Sequence, residues 1–96
     1  MRRSYLVCYD IREPRRLQRV HRVVRGYGER WQYSVFFCVL KDIDRVRLQS
    51  DLEVEMNLKE DQAVIIDMGP DEKAARTLAT AIGQSLPTRD SSILVI

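Results

Sequence analysis

An aspartate ends an apolar run near the start of the chain, and arginines follow it directly. The run from Ser4 to Tyr9 stops at Asp10, and runs of this length and composition are typical of buried strands. A carboxylate at a strand end can bind a hard divalent cation or act as an acid or base. The guanidinium groups that follow carry forked donors that match phosphate oxygens. These residue types indicate chemistry on a polyanion, with Asp10 as the metal-binding or acid–base group.

Charge is divided unevenly along the chain. The formal net charge is only +2, yet residues 1–31 hold nine arginines and three acidic residues, and residues 42–72 hold ten acidic and three basic residues. Segregated charge creates local fields that the total conceals, and an arginine-rich surface fits a nucleic-acid backbone. It also fits a solvated helix face whose arginines pair with acids of the same or a neighbouring chain. Charge by itself leaves both interpretations open.

The first half of the chain contains the elements that must position Asp10. The strand before it is predicted over about 4–9, and a helix begins at Pro14 and ends near Gly26. Leu17, Val20 and Val24 recur at helical spacing and indicate a buried face. Alternation breaks near residue 35, which predicts two strands, roughly 31–34 and 36–40, joined by a bend or tight hairpin.

The second half repeats the pattern of helix and strand. Leu48, Leu52 and Met56 recur every four residues, which predicts a second helix capped by Asp42 or Asp44 and running to about residue 57. The remaining predicted elements are a strand over 63–68, a short third helix ending at Gly83, a loop over 86–90 and a last strand over 93–96.

The order of these elements predicts an α+β fold, a ferredoxin-like β-α-β-β-α-β sandwich with an extra C-terminal strand, in one domain over residues 1–96. Helices on one face of the sheet would leave the other face bare, displaying tyrosines and branched aliphatic residues. A second copy is the simplest cover, so we expect a homodimer. The C-terminal tail, residues 85–96, would add a strand to its own sheet or to the partner's.

Several classes of protein are disfavoured. The N-terminus has no secretory signal and no apolar run approaches the length of a membrane span, so we expect a cytoplasmic protein with no membrane partner. Cys8 and Cys38 lie in apolar runs and are expected to be reduced and buried, and no paired cysteine motif indicates zinc. His21 falls on the apolar stripe of the first helix, which favours a half-buried structural role. Trp31 fits packing and base stacking equally well.

Four short motifs, in order and at their spacing, resemble those of the CRISPR-associated Cas2 family. They are Tyr9-Asp10-Ile11, Arg16-Leu17-Gln18-Arg19-Val20, Tyr27-Gly28 and Gln32-Tyr33-Ser34-Val35-Phe36. The resemblance covers the whole length and is firmest through about residue 40. No single motif is specific, but the combination is.

The resemblance implies a ferredoxin-like homodimer in which Asp10 of each copy, as catalytic and metal-binding residue, approaches a shared Mg²⁺ or Mn²⁺. It implies a metal-dependent endonuclease for RNA or double-stranded DNA that acts in CRISPR spacer acquisition and antiviral defence. The alternative is a non-catalytic dimeric adaptor that bridges the CRISPR integrase subunits and holds duplex DNA. The expected nucleic-acid-binding residues are Arg12, Arg15, Arg16, Arg19, Arg30 and Ser34. A ferredoxin-like RNA-binding or regulatory module of another family is disfavoured, because the aromatic motif of the common RNA-recognition domain is missing.

Overall fold

The structure is a computed structural model and describes residues 1–87. Its elements are β1 (Arg2–Asp10), α1 (Pro14–Arg25), β2 (Glu29–Gln32), β3 (Val35–Lys41), α2 (Asp42–Glu55), β4 (Gln62–Asp67) and α3 (Glu72–Thr77). The predicted last strand, over 93–96, lies outside the described residues. All other predicted strands and helices are present, with ends that shift by a few residues.

One four-stranded antiparallel sheet organises the molecule. Its strand order is β2-β3-β1-β4, with β1 between β3 and β4. This order, with one helix after β1 and another after β3, is the ferredoxin-like arrangement, so the predicted fold class is confirmed. Tyr33 and Ser34 form the turn between β2 and β3, where the sequence predicted a bend or tight hairpin.

The core lies between the sheet and the two long helices. Tyr5, Val7 and Tyr9 alternate along β1 and are all buried there, because residues two apart on a strand share a face. The side chains that α1 and α2 bury against this core are Val20, Val24, Leu48 and Leu52.

The expectation that tyrosines line the second sheet face is wrong for Tyr5 and Tyr9, because their rings fill the volume under the helices. The Tyr9 hydroxyl lies 2.9 Å from His21 Nδ1, so its polar end is satisfied within that layer. The second face carries Phe37 beneath α3 and smaller apolar residues beside it, as described below.

Helix α3 packs on the second sheet face and is shorter than predicted. Ala75 is fully buried, and the Arg76 guanidinium lies 4.6 Å from the centre of the Phe37 ring. The helix ends at Thr77 and does not reach Gly83. Leu78 is 70% exposed and Ile82 is 98% exposed, so the described residues provide no surface that would bury these side chains and stabilise further helical turns.

Helix caps differ from the sequence prediction in one case. Helix α2 has Lys41 at its N-cap with no side-chain cap bond, and Asp42 is the first helical residue. The cap prediction for Asp42 or Asp44 is therefore wrong, although acidic residues in a first helical turn still interact favourably with the helix dipole. Helix α1 is capped by Glu13, whose carboxylate accepts from the backbone N–H groups of Arg15 and Arg16 at 3.1 and 2.8 Å.

Candidate functional site

Asp10 is the last residue of β1, in register with Gln62 of β4. The preceding residue is fixed from the other side, since the Tyr9 backbone N–H donates to the Ser34 carbonyl oxygen at 3.1 Å. The Asp10 side chain is exposed and has no hydrogen bond or ion pair with any residue in 1–87. A carboxylate on a rigid strand end with both oxygens free suits a hard divalent cation.

The connection from β1 to α1 is held by a carboxylate from the turn between α2 and β4. Asp61 has a fully buried side chain and accepts from the backbone N–H groups of Arg12 and Asn57, both at 2.9 Å. It also receives the Arg16 guanidinium, whose hydrogen bond is the largest cause of the lowered pKa of Asp61. The charged form of Asp61 is therefore favoured, and it fixes the backbone two residues beyond Asp10.

Arg16 is committed to this interaction. Its Nε donates to Asp61 Oδ2 at 2.9 Å and its Nη2 to Asp61 Oδ1 at 3.1 Å, a two-pronged pair, while Nη2 also reaches Glu60 Oε1 at 3.2 Å. Its side chain is only 17% exposed. Arg19 is partly committed, because its Nε donates to Glu55 at 3.1 Å. These two predicted nucleic-acid ligands are thus engaged within the chain.

The other predicted ligands lie open around Asp10 or on the β2–β3 hairpin. Arg12, Arg15 and Arg30 are exposed and have no ion pair with an acid among residues 1–87. Arg30 lies on the hairpin, with its guanidinium 5.2 Å from the centre of the Tyr33 ring. Ser34 is half-buried and adjoins Asp10 through its carbonyl bond to the Tyr9 N–H. The structure therefore brings Asp10, Arg12 and Ser34 into one neighbourhood.

His21 and Tyr9 are paired with each other between α1 and the sheet. His21 is half-buried, as the sequence predicted, and its ring packs near Tyr33 and Phe36. Burial lowers the pKa of His21, and the positive charges of Arg30 and Arg25 lower it further. Burial raises the pKa of Tyr9 to about 12, so its hydroxyl stays protonated.

Two features escaped the sequence analysis. Asp61 carries no local signal, because its partner Arg16 lies 45 residues away. Arg22 and Arg25 were counted in the basic segment but were not assigned to a site, although both stand in the last turn of α1 beside Tyr33. Their i, i+3 spacing is the signal that could have placed them on one side of the helix.

The second sheet face next to Asp10 is apolar and partly open. Val64 and Ile66 of β4 are 42% and 46% exposed, and each pairs in register with a partly exposed residue of β1, Cys8 and Leu6 respectively. Cys8 and Cys38 are both free thiols. Alternation along β1 places Cys8 on this open face and Asp10 just beyond it on the same face.

A single copy offers little to a metal ion. Within residues 1–87 no group of three or more His, Cys, Asp or Glu side chains is placed to hold one. One carboxylate at the end of β1 is a weak cation site, whereas two such carboxylates would supply oxygen ligands of the kind that Mg²⁺ takes while it keeps its waters. In the described part of the chain, none of the helices has the length and apolar character needed to span a membrane.

Residues 3–76 match the family model described as CRISPR associated protein Cas2. A CRISPR-associated endoribonuclease Cas2 of Rhodospirillum rubrum is 31% identical over 93 residues, which cover 97% of this chain and 90% of that protein. One from Thermodesulfovibrio yellowstonii is 46% identical over 52 residues, 54% of this chain and 57% of that protein. The crystal structure of Streptococcus pyogenes Cas2 at pH 6.5 superposes with a TM-score of 0.72 and 25% identity, covering 83% of this chain and 99% of that one.

Proposed function

Because the chain belongs to the CRISPR-associated Cas2 family, we propose that it is an endonuclease of the CRISPR system that hydrolyses phosphodiester bonds in RNA or double-stranded DNA. Its place in that system would be spacer acquisition and antiviral defence. One observation carries the proposal: Asp10 is an exposed carboxylate, free of partners within residues 1–87, on a rigid strand end beside exposed arginines. The endoribonuclease names of the relatives support the same class of reaction.

The active form would be a homodimer that shares a Mg²⁺ or Mn²⁺ ion between the two Asp10 carboxylates. The open apolar face that includes Cys8, Val64 and Ile66 supports this, since a patch of this kind next to the end of β1 is usually covered. A two-fold axis through that face would bring the two strand ends towards each other. The shared ion, when bound, would polarise a phosphoryl oxygen and lower the pKa of a coordinated water.

The arginines would hold the polyanion against this acidic pair. Arg12 and Arg15 are exposed, lie within five residues of Asp10 and are free to meet phosphate oxygens. Arg16 would act indirectly, because its guanidinium holds Asp61 and, through Asp61, the backbone at Arg12. Phosphate contacts would therefore come from side chains that carry no internal ion pair.

Cleavage of labelled RNA and of duplex DNA, each with Mg²⁺, Mn²⁺ or a chelator, tests the proposal. Asp10→Asn should abolish cleavage and retain binding of the nucleic acid, because the change removes one negative charge from a surface that binds anions. Glu53→Gln is the matched control, an exposed acid on α2 that should leave cleavage unchanged. Cleavage that persists in chelator or in Asp10→Asn would contradict the proposed chemistry.

A second candidate is the non-catalytic adaptor that bridges CRISPR integrase subunits and holds duplex DNA. It is favoured by the shortage of catalytic groups. The Tyr9 hydroxyl stays protonated and is paired with His21 Nδ1, and within residues 1–87 no three His, Cys, Asp or Glu side chains are placed to hold a metal ion. Spacer acquisition in cells separates the two candidates. An adaptor tolerates Asp10→Asn and loses function when Arg12 and Arg15 are both changed to Gln, whereas an essential nuclease fails with Asp10→Asn.

A further inference from the structure

A cluster of cations and aromatic rings lies at the C-terminal end of α1, away from the Asp61 interaction at its N-terminal end. Arg22 and Arg25 occupy the last turn of the helix and line a shallow cavity of about 220 Å³ with His21 and Tyr33. Tyr33 comes from the β2–β3 turn and is 61% exposed. Helix α1 and the β2–β3 turn thus present an exposed ring beside two guanidinium groups.

The positive charge of this cluster is not neutralised within the described chain. Among residues 1–87, Arg22, Arg25 and Arg30 form no ion pair, whereas Arg3, Arg16 and Arg19 each hold a carboxylate. Burial is the main cause of the lowered pKa of His21, and the charges of Arg30 and Arg25 lower that pKa further. Cations in a last helical turn suit the helix dipole, but the dipole gives no reason for an exposed tyrosine beside them.

The Tyr33 ring already accepts a flat cationic group on its surface. The Arg30 guanidinium lies 5.2 Å from the ring centre, and the His21 ring is stacked at 5.9 Å with planes 25° apart. A nucleobase has the flat shape and polarisable face that such a ring binds. Since Arg30 is an exposed side chain, a base can take its place on the ring while the guanidinium turns to a phosphate.

We propose that this cluster is a subsite for single-stranded nucleic acid, with one unpaired base stacked on Tyr33 and the adjoining phosphates held by Arg22 and Arg25. The proposal rests on the proposed function, since it adds an unpaired strand to the phosphodiester that would reach Asp10. Ser34 follows Tyr33 directly and bonds to the residue before Asp10. The subsite therefore lies next to the candidate site and separate from it. In a duplex every base is already stacked and paired, so duplex DNA would gain nothing from Tyr33.

The test compares binding of a labelled single-stranded thymidine oligonucleotide with binding of a blunt DNA duplex, by fluorescence anisotropy without added metal. Tyr33→Ala should weaken single-strand binding about tenfold and leave duplex binding unchanged, because loss of one stacked base costs roughly that much. Tyr33→Phe keeps the ring and should bind as the wild type does. The double change of Arg22 and Arg25 to Gln should reduce the slope of log affinity against log salt by about 1.4 for the single strand. Arg47→Gln, which removes a positive charge from an exposed α2 arginine paired with Asp44, is the control and should leave that slope unchanged.

Each result is decisive for one proposal or the other. If Tyr33→Ala weakens neither ligand, or weakens single strand and duplex equally, the subsite is wrong. If the wild-type protein binds the duplex but not the single strand, the subsite is wrong and the proposed function stands. If the wild-type protein binds neither the single strand nor the duplex, the subsite and the proposed function are both wrong. Circular dichroism of each variant excludes unfolding as the cause, and Tyr33→Leu, which removes the ring and keeps an apolar side chain, repeats the comparison if Tyr33→Ala fails to fold.

Discussion

Arg15 and Arg16 are neighbours on α1 with the same charge and opposite expected behaviour. The Arg16 guanidinium is held by Asp61 and Glu60, whereas the Arg15 side chain is exposed and has no acidic partner among residues 1–87. Each change to Gln removes one positive charge from nearly the same place. Long-range attraction of a polyanion is therefore reduced equally in the two variants, and any difference between them reports direct contact.

The expected difference follows from counterion release. Each phosphate contact on a duplex adds about 0.9 to the slope of log affinity against log salt, so raising salt from about 50 to about 200 mM costs about 3.5-fold in affinity per contact. Arg15→Gln should lower the slope by about 0.9, if Arg15 makes one such contact. Arg16→Gln should leave the slope unchanged and lower the melting temperature, because it leaves the buried Asp61 carboxylate without its cation.

Duplex binding measured from low to moderate salt, together with thermal unfolding of both variants, checks this assignment. Arg15→Gln should melt as the wild type does, since its side chain contacts nothing acidic in the described chain and a cation in a first helical turn is unfavourable. The reasoning would be refuted by Arg16→Gln reducing the salt slope as much as Arg15→Gln while its melting temperature stays at the wild-type value.

Three further predictions follow from local geometry. A Cβ at residue 28 would meet the Phe37 carbonyl oxygen and lie 2.5 Å from Cys38 Sγ, so Gly28→Ala should cost about 2–3 kcal/mol and lower the melting temperature by about 10 °C or more. Gly26→Ala, which meets only the Val23 carbonyl oxygen at 3.3 Å, is the control, and an equal loss in both would contradict the clash. The pKa of Asp61 is lower in the folded chain than in the unfolded one, so its carboxylate stabilises the fold above about pH 4 and this contribution is lost as the pH falls further. Asp61→Asn should therefore have a lower free energy of unfolding at pH 7, and that free energy should fall less steeply than the wild type's as the pH is lowered below about 4. The same pH dependence below about pH 4 in both proteins would be inconsistent with this role. Cys8 lies on the face proposed for the dimer, so its thiol should resist a thiol-reactive dye at high protein concentration and react on dilution, and a thiol that reacts fully at every concentration would argue against the dimer.

Local pattern was sufficient for most of the fold. The apolar run ending at Asp10, the helical spacing of Val20 and Val24, and the broken alternation near residue 35 each depend on residues close together in the chain. These signals placed β1, α1 and the β2–β3 hairpin, and their order predicted the ferredoxin-like sheet. The sequence predicts too long a third helix because Leu78 and Ile82 have helical spacing. Spacing alone does not show whether a surface exists for these side chains to pack against.

The face of the sheet on which the tyrosines lie also depends on tertiary packing and does not follow from the local sequence pattern. Alternation along β1 fixes that Tyr5, Val7 and Tyr9 share one side and that Leu6 and Cys8 share the other. Both sets are apolar enough to be buried, so the sequence leaves open which of them the helices cover. The structure puts the larger rings under α1 and α2, where the Tyr9 hydroxyl meets His21.

By itself the sequence determined that a carboxylate ends the first strand, that arginines crowd the helix after it, and which family motifs they form. Only the tertiary structure decided which of those arginines remain free. Arg16 is occupied because Asp61 reaches it from 45 residues away, whereas Arg22 and Arg25 stay open beside Tyr33. The physical reason is that an ion pair depends on distance in space, and the folding of α2 and β4 against α1 sets that distance.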